Sequence, residues 1–142
     1  MAEQLRPFHL AIPVNNLSIA KKWYGKVLGC ATGRITAKWI DFNFFGHQLV
    51  AHLVPANDAR AVTNRVDGEM VPTRHFGIIL TPEAWKKLVT HLQGNNIEFI
   101  INPQTRFSGK AGEQSTFLLK IPLGMPWNLK LSRIMMRCLR FS

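Results

Sequence analysis

The sequence predicts an α+β fold of two tandem βαβββ modules, curled as a mixed sheet around a cup, and three observations carry that prediction. A strand, a helix and three further strands can be read twice along the chain, offset by about 65 residues. His9 and His75 stand at matching points, one in the first strand of each half. Each half also holds one amphipathic stretch bounded by helix start and stop signals. The boundaries expected within a single 142-residue domain are module one over about 5–55, a connection over 56–72, module two over about 73–132 and a basic tail over 133–142.

Phe8 to Val14 reads as the first strand, stopped by Asn15-Asn16. Asn16 or Ser18 caps a helix reaching about Leu28, with Ile19, Trp23 and Val27 on one face, and Gly29 ends it. Strands follow over Ala31–Ile35, Lys38–Phe45 and Gln48–Val54, with Gly46-His47 as the tight turn between the last two. Pro55 to Pro72 is polar and reads as a connection. The second pass opens with a strand over Arg74–Leu80 and a helix starting at Thr81-Pro82-Glu83, a cap followed by proline in the first turn. Trp85, Leu88, Val89 and Leu92 hold helical spacing up to Gly94. Ile97–Ile101 is a strand, Asn102–Gln114 a loop, and Ser115–Lys120 and Trp127–Leu131 close the half.

A hydrophobic content of 46% excludes disorder as the default, and no run of 18 apolar residues offers a membrane span. Met1 to Arg6 lacks the basic-then-apolar pattern of a secretory signal, and two distant cysteines, Cys30 and Cys138, read as reduced thiols, so a cytoplasmic location is expected. The net charge of +10 raises a nucleic-acid reading, but +4 of it lies in the acid-free stretch Ile121–Ser142 and the other basic residues are scattered, with Lys21-Lys22 and Lys86-Lys87 on expected helix faces. No nucleic-acid partner is therefore expected. No phosphate loop, CxxC pair or nucleophile setting occurs, and Cys30 beside Gly29 reads as a small core residue.

His9, His52 and His75 each lie inside a β-like apolar run, where an imidazole is costly unless something binds it, and a divalent metal is one such thing. Each has a plain alternative as a hydrogen-bonded core histidine. His47 in a turn and His91 on a helix read as exposed. Phe42, Phe44 and Phe117 alternate on strands; they read as core, with Phe44 and Phe117 as candidates for lining a substrate slot. Arg106, in a loop with Ser108 and Gly109, is a candidate for meeting an anionic substrate, with a solvated residue as the plain alternative.

Several markers in order resemble the vicinal oxygen chelate superfamily of glyoxalase I, extradiol dioxygenases and bleomycin-resistance proteins. They are His9, Trp23-Tyr24 with Leu28-Gly29, Gly46-His47-Gln48, His75 and Glu113-Gln114-Ser115-Thr116-Phe117, covering about Pro7 to Leu131. The resemblance implies paired βαβββ modules, frequent homodimers, a small-molecule substrate with vicinal oxygens, and a divalent metal held from the first and last strands. By position it makes His9 and His75 metal ligands and His52 a third ligand or a catalytic acid/base. Fe(II) is the favoured metal, with Zn, Ni or Mn as alternatives.

The ending departs from the family pattern. Where relatives carry a string such as Asp-Pro-Ser-Gly-Asn-Ala-Leu-Glu-Phe-Lys-Ala-Phe, this chain reads Ile121-Pro122-Leu123-Gly124-Met125-Pro126-Trp127-Asn128-Leu129-Lys130-Leu131-Ser132, with Asn128 at the glutamate ligand position. One codon set for the family string, read one base later, encodes Ile121 to Ser132 residue for residue. A single-base slip near Lys120, leaving Ile121–Ser142 as out-of-frame product, is thus expected. Asn128 removes a charge and a strong ligand, so metal affinity and activity should fall. The functions expected are an extradiol-dioxygenase-like enzyme or, alternatively, a glyoxalase-like lyase or isomerase, or a non-catalytic drug-binding protein.

Overall fold

In the computed structural model, residues 4–55, 63–66, 69–72, 75–110, 113–119 and 128–134 are described, with 63–66, 69–72 and 128–134 described by their backbone. The described strands are β1 (His9–Val14), β2 (Thr32–Ile35), β3 (Trp39–Phe44), β4 (His47–Leu53), β5 (Thr63–Val66), β6 (Glu69–Pro72), β7 (His75–Ile79), β8 (Phe99–Arg106), β9 (Gln114–Leu119) and β10 (Asn128–Ile134). Helix α1 (Leu17–Ala20) continues as a π-helix over Lys21–Val27, and α2 spans Pro82–Gly94. The expected α+β class is what these elements form. They divide into two compact units, one holding β1–β4 with α1, the other β5–β10 with α2.

The sheet of the first unit has the order β1-β4-β3-β2, with β1 parallel to β4 and the other neighbours antiparallel. Because side chains alternate across a strand, the registers fix what shares a face. Phe42–Leu49–Leu10 and Ile40–Ala51–Ile12 form transverse rows on the helix side. There Tyr24 meets Phe42 with ring centroids 5.3 Å apart and Trp23 at 5.1 Å, and all three rings are buried. On the opposite face the rows are Asn43–Gln48–His9, Asp41–Val50–Ala11 and Trp39–His52–Pro13.

Two local features differ from the sequence reading. Asn16, not Ser18, caps α1: its Oδ1 accepts from the Ile19 amide at 3.0 Å. The widened π turn then buries Trp23 and Tyr24 side by side, with Ala20 and Leu28, while Ile19 stays 36% exposed. The buried stripe is therefore Ala20, Trp23, Tyr24 and Leu28, not Ile19, Trp23 and Val27. Gly29 ends the segment at φ 73° as expected. The β3–β4 turn lies one residue earlier than expected, at Phe45-Gly46 with φ of 51° and 89°, and His47 opens β4.

In the second unit the order is β7-β10-β9-β8, with β7 parallel to β10. Thr81 caps α2 by accepting from the Ala84 amide at 3.3 Å, with Pro82 and Glu83 in the first turn, as the sequence indicates. Phe117 is fully buried, 5.8 Å from the Trp85 ring and 5.4 Å from Phe99, and Leu92 closes the same core. Strand β8 runs to Arg106, five residues beyond the expected end. It is an edge strand with register shifts on either side of Ile101, a place where Pro103 costs no ladder bond. The expected connection contains a hairpin, β5–β6, with Thr63 opposite Pro72 and Val66 opposite Glu69. Residues 120–127 and 135–142, including Cys138 and most of the basic tail, lie outside the described residues.

Candidate functional site

His9 sits at the start of β1, on the face of the first sheet opposite α1, and is exposed. Its register partner on β4 is Gln48, and His9 Nδ1 lies 2.8 Å from Gln48 Oε1. An amide oxygen only accepts, so Nδ1 carries the proton of this bond, and in the neutral ring Nε2 then keeps the lone pair. This is the arrangement in which a histidine is oriented for a ligand by a carbonyl on its other nitrogen. The ring of His47 is fixed the opposite way. Its Nδ1 accepts from the Phe8 amide at 2.8 Å, which leaves Nε2 as the protonated nitrogen of the neutral ring.

The parallel register of the second sheet puts Asn128 opposite His75. The two residues expected as first- and last-strand ligands of that half are thus neighbours along the sheet. In the first half the residue so placed is Gln48, not His52. His52 lies opposite Pro13, about 13 Å further along β4 at strand rise. It is exposed and tilts against Trp39 at a centroid distance of 6.2 Å. Sequence reasoning missed Gln48; the signal was the parallel register itself, which sets the first residue of β1 against the second residue of β4.

The other candidates fall in two classes. Phe44 is 4% exposed and Phe117 wholly buried, both as parts of their cores. Arg106 ends β8 opposite Gln114, half-buried, in a strand and not in the loop that had been expected. The tight turn after it is closed by Glu113, whose carboxylate accepts from the Gly109 amide at 2.8 Å.

Further charge on the face of the first sheet opposite α1 comes from Asp41 of β3. Its Oδ2 accepts from Arg34 Nε at 2.9 Å, while Oδ1 is buried with no partner. Gly33 makes this approach possible, since a Cβ there would lie 3.3 Å from that of Asp41. Burial pushes the Cys30 thiol up to about 11 and raises the Tyr24 phenol further still, with nearby Cys30 a lesser cause. Cys30 is thereby a packing residue with little thiolate at neutral pH.

Metal fit is decided by donor chemistry. Each first-strand histidine is in register with a neutral amide residue, and among the described residues no group of three or more His, Cys, Asp or Glu could hold an ion. Imidazole and amide oxygen match a borderline dication in type, but a neutral amide does not offset its charge as a carboxylate would. The residues do not fit a tightly held metal.

The sequence model of the Glyoxalase/Bleomycin resistance protein/Dioxygenase superfamily matches residues 6–117. The chain belongs to this superfamily. A glyoxalase/bleomycin resistance protein/dioxygenase from Alicyclobacillus acidocaldarius is similar over 99% of this chain and 100% of its own, at 28% identity and a TM-score of 0.76. A glyoxalase/dioxygenase from Nostoc punctiforme shares the fold at 16% identity and a TM-score of 0.64, covering 95% of this chain and 99% of that one. Lactoylglutathione lyase from Agrobacterium tumefaciens does so at 14% identity and 0.62, over 96% and 97% of the two chains. No curated protein matches significantly. Among the described residues of this superfamily member, no helix is long and apolar enough to cross a membrane.

Proposed function

We propose that this chain is an extradiol-dioxygenase-like member of the superfamily, its two βαβββ modules forming a cup for a small molecule with vicinal oxygens, and that its metal capture is weakened. The observation that carries the reading is the repeated register, His9 with Gln48 and His75 with Asn128. The same histidine position recurs in both sheets, which suits inherited ligand sites, and an amide residue stands beside each. Fe(II) remains the favoured ion, ahead of Zn, Ni or Mn, with His9 and His75 as nitrogen donors and Asn128 as a poor oxygen donor. His52, away from Gln48 along the strand, is kept as a proton carrier only. A homodimer is the proposed assembly, measurable by sedimentation.

Calorimetric titration with Fe(II), Ni(II), Zn(II) and Mn(II) tests the reading. The chain as it stands should bind weakly, and Asn128→Glu should bind at least about tenfold tighter, a gain of about 1.4 kcal/mol. Tight binding by the unaltered chain that survives Asn128→Ala would refute it. A non-catalytic binder is the second reading, favoured by the neutral amide residue in register with each first-strand histidine. It predicts no rise in melting temperature with any of the four ions, before or after the glutamate is restored.

A further inference from the structure

The geometry points to a carboxylate-binding groove at the β3–β4 turn end of the first sheet, formed by Arg34, Asn43 and Gln48. These three side chains line one cavity of about 430 Å³, with Gly33, Asp41 and Gly46. The two amides have their oxygens, the ends that would repel an anion, already engaged. Asn43 Oδ1 accepts from the Gly46 amide at 2.8 Å, and Gln48 Oε1 from His9 at 2.8 Å. Arg34 gives its Nε to Asp41 Oδ2 at 2.9 Å. What these three side chains have left is donors: Asn43 Nδ2, Gln48 Nε2 and both Nη groups of Arg34, a side chain 76% exposed, while the spare acceptor of the lining, Asp41 Oδ1, is buried. No hydrogen bond among the described residues engages these donors.

Asn43 and Gln48 are register partners on neighbouring strands, so their amides stand side by side, about 5 Å apart at Cβ. That spacing lets both reach one small group. Charge narrows the choice of group. Arg34 and Asp41 are the only formally charged side chains in the lining, and the arginine is already half-committed to its partner. A singly charged carboxylate can share the guanidinium through its outer edge, whereas a dianionic phosphate would be left unbalanced beside Asp41. Pro7 contributes an apolar part of the lining, against which a carbon body can rest. The inference rests on the small-molecule reading above and names the group that such a molecule carries.

The test is a 1H–15N NMR titration of the full chain in EDTA, with benzoate as probe and benzyl alcohol and inorganic phosphate as comparisons. Benzoate should shift the side-chain amide pairs of Asn43 and Gln48 and the Arg34 guanidinium, and neither comparison should. Asn43→Asp and Gln48→Glu each keep the oxygen that accepts from Gly46 or His9, so they preserve the local anchors while deleting the outward donors. Each should weaken benzoate at least tenfold, and Arg34→Gln should do the same. Benzoate shifts that fall elsewhere, phosphate shifts that match them, or variants that bind like the parent would overturn the inference. With metals chelated, failure of metal capture leaves this result unaffected, and the reverse also holds.

Discussion

Phe45 holds a bulky aromatic at φ 51°, a conformation that glycine and asparagine enter easily and other residues at a cost of about 1–2 kcal/mol. Its compensation is an edge contact with Phe44, centroids 4.9 Å apart, on a side chain still 39% exposed. Phe45→Asn, placing Asn-Gly in the turn, should raise stability by about 1 kcal/mol in urea unfolding. Cys30 and Tyr24 give a pH dependence. The unfolded thiol loses its proton near 9.0, whereas the folded one keeps it to about 11, so the unfolded state binds fewer protons in that window. Stability should therefore be complete below pH 9 and drain away between 9 and 11. The buried phenol adds to the loss above 10.0. Cys30→Ala should flatten the first part of the curve, as read by denaturation midpoints at each pH.

Among elements, α2 was the most legible in the sequence. Thr81, Pro82 and Glu83 announce its start and Gly94 its end, because capping chemistry is local and needs no knowledge of the rest of the chain. Thr81→Ala should cost about 1 kcal/mol, seen as an earlier urea midpoint with unchanged slope. The helical segment after Asn16 was read in the right place with the wrong face. A π turn widens the spiral, so periodicity counted at 3.6 residues mislabels which side chains go inward. Strand β8 runs on through Pro103, whose tolerance depends on being at a sheet edge, a non-local fact. The β5–β6 hairpin was hidden in polar sequence, where pairing of backbones leaves little pattern. The same limit applied to the site. His9 was visible as an imidazole in an apolar run, but Gln48 acquires meaning only through a parallel register 39 residues away.

For the molecule as a whole, the α+β class and the family followed from repeated order and spaced markers, while the donor set beside the histidines needed coordinates. Both sheets close through a parallel pair of distant strands, β1 with β4 and β7 with β10. In the second sheet, β10 is flanked by β7 on one side and β9 on the other. A ribosome therefore delivers β7, α2, β8 and β9 before the piece that joins β7 to β9 exists. Until residues 128–134 emerge, β7 lacks its one ladder neighbour among the described strands and β9 lacks one of its two, so an early stop codon anywhere before them would leave raw edges ready to pair with a neighbouring chain.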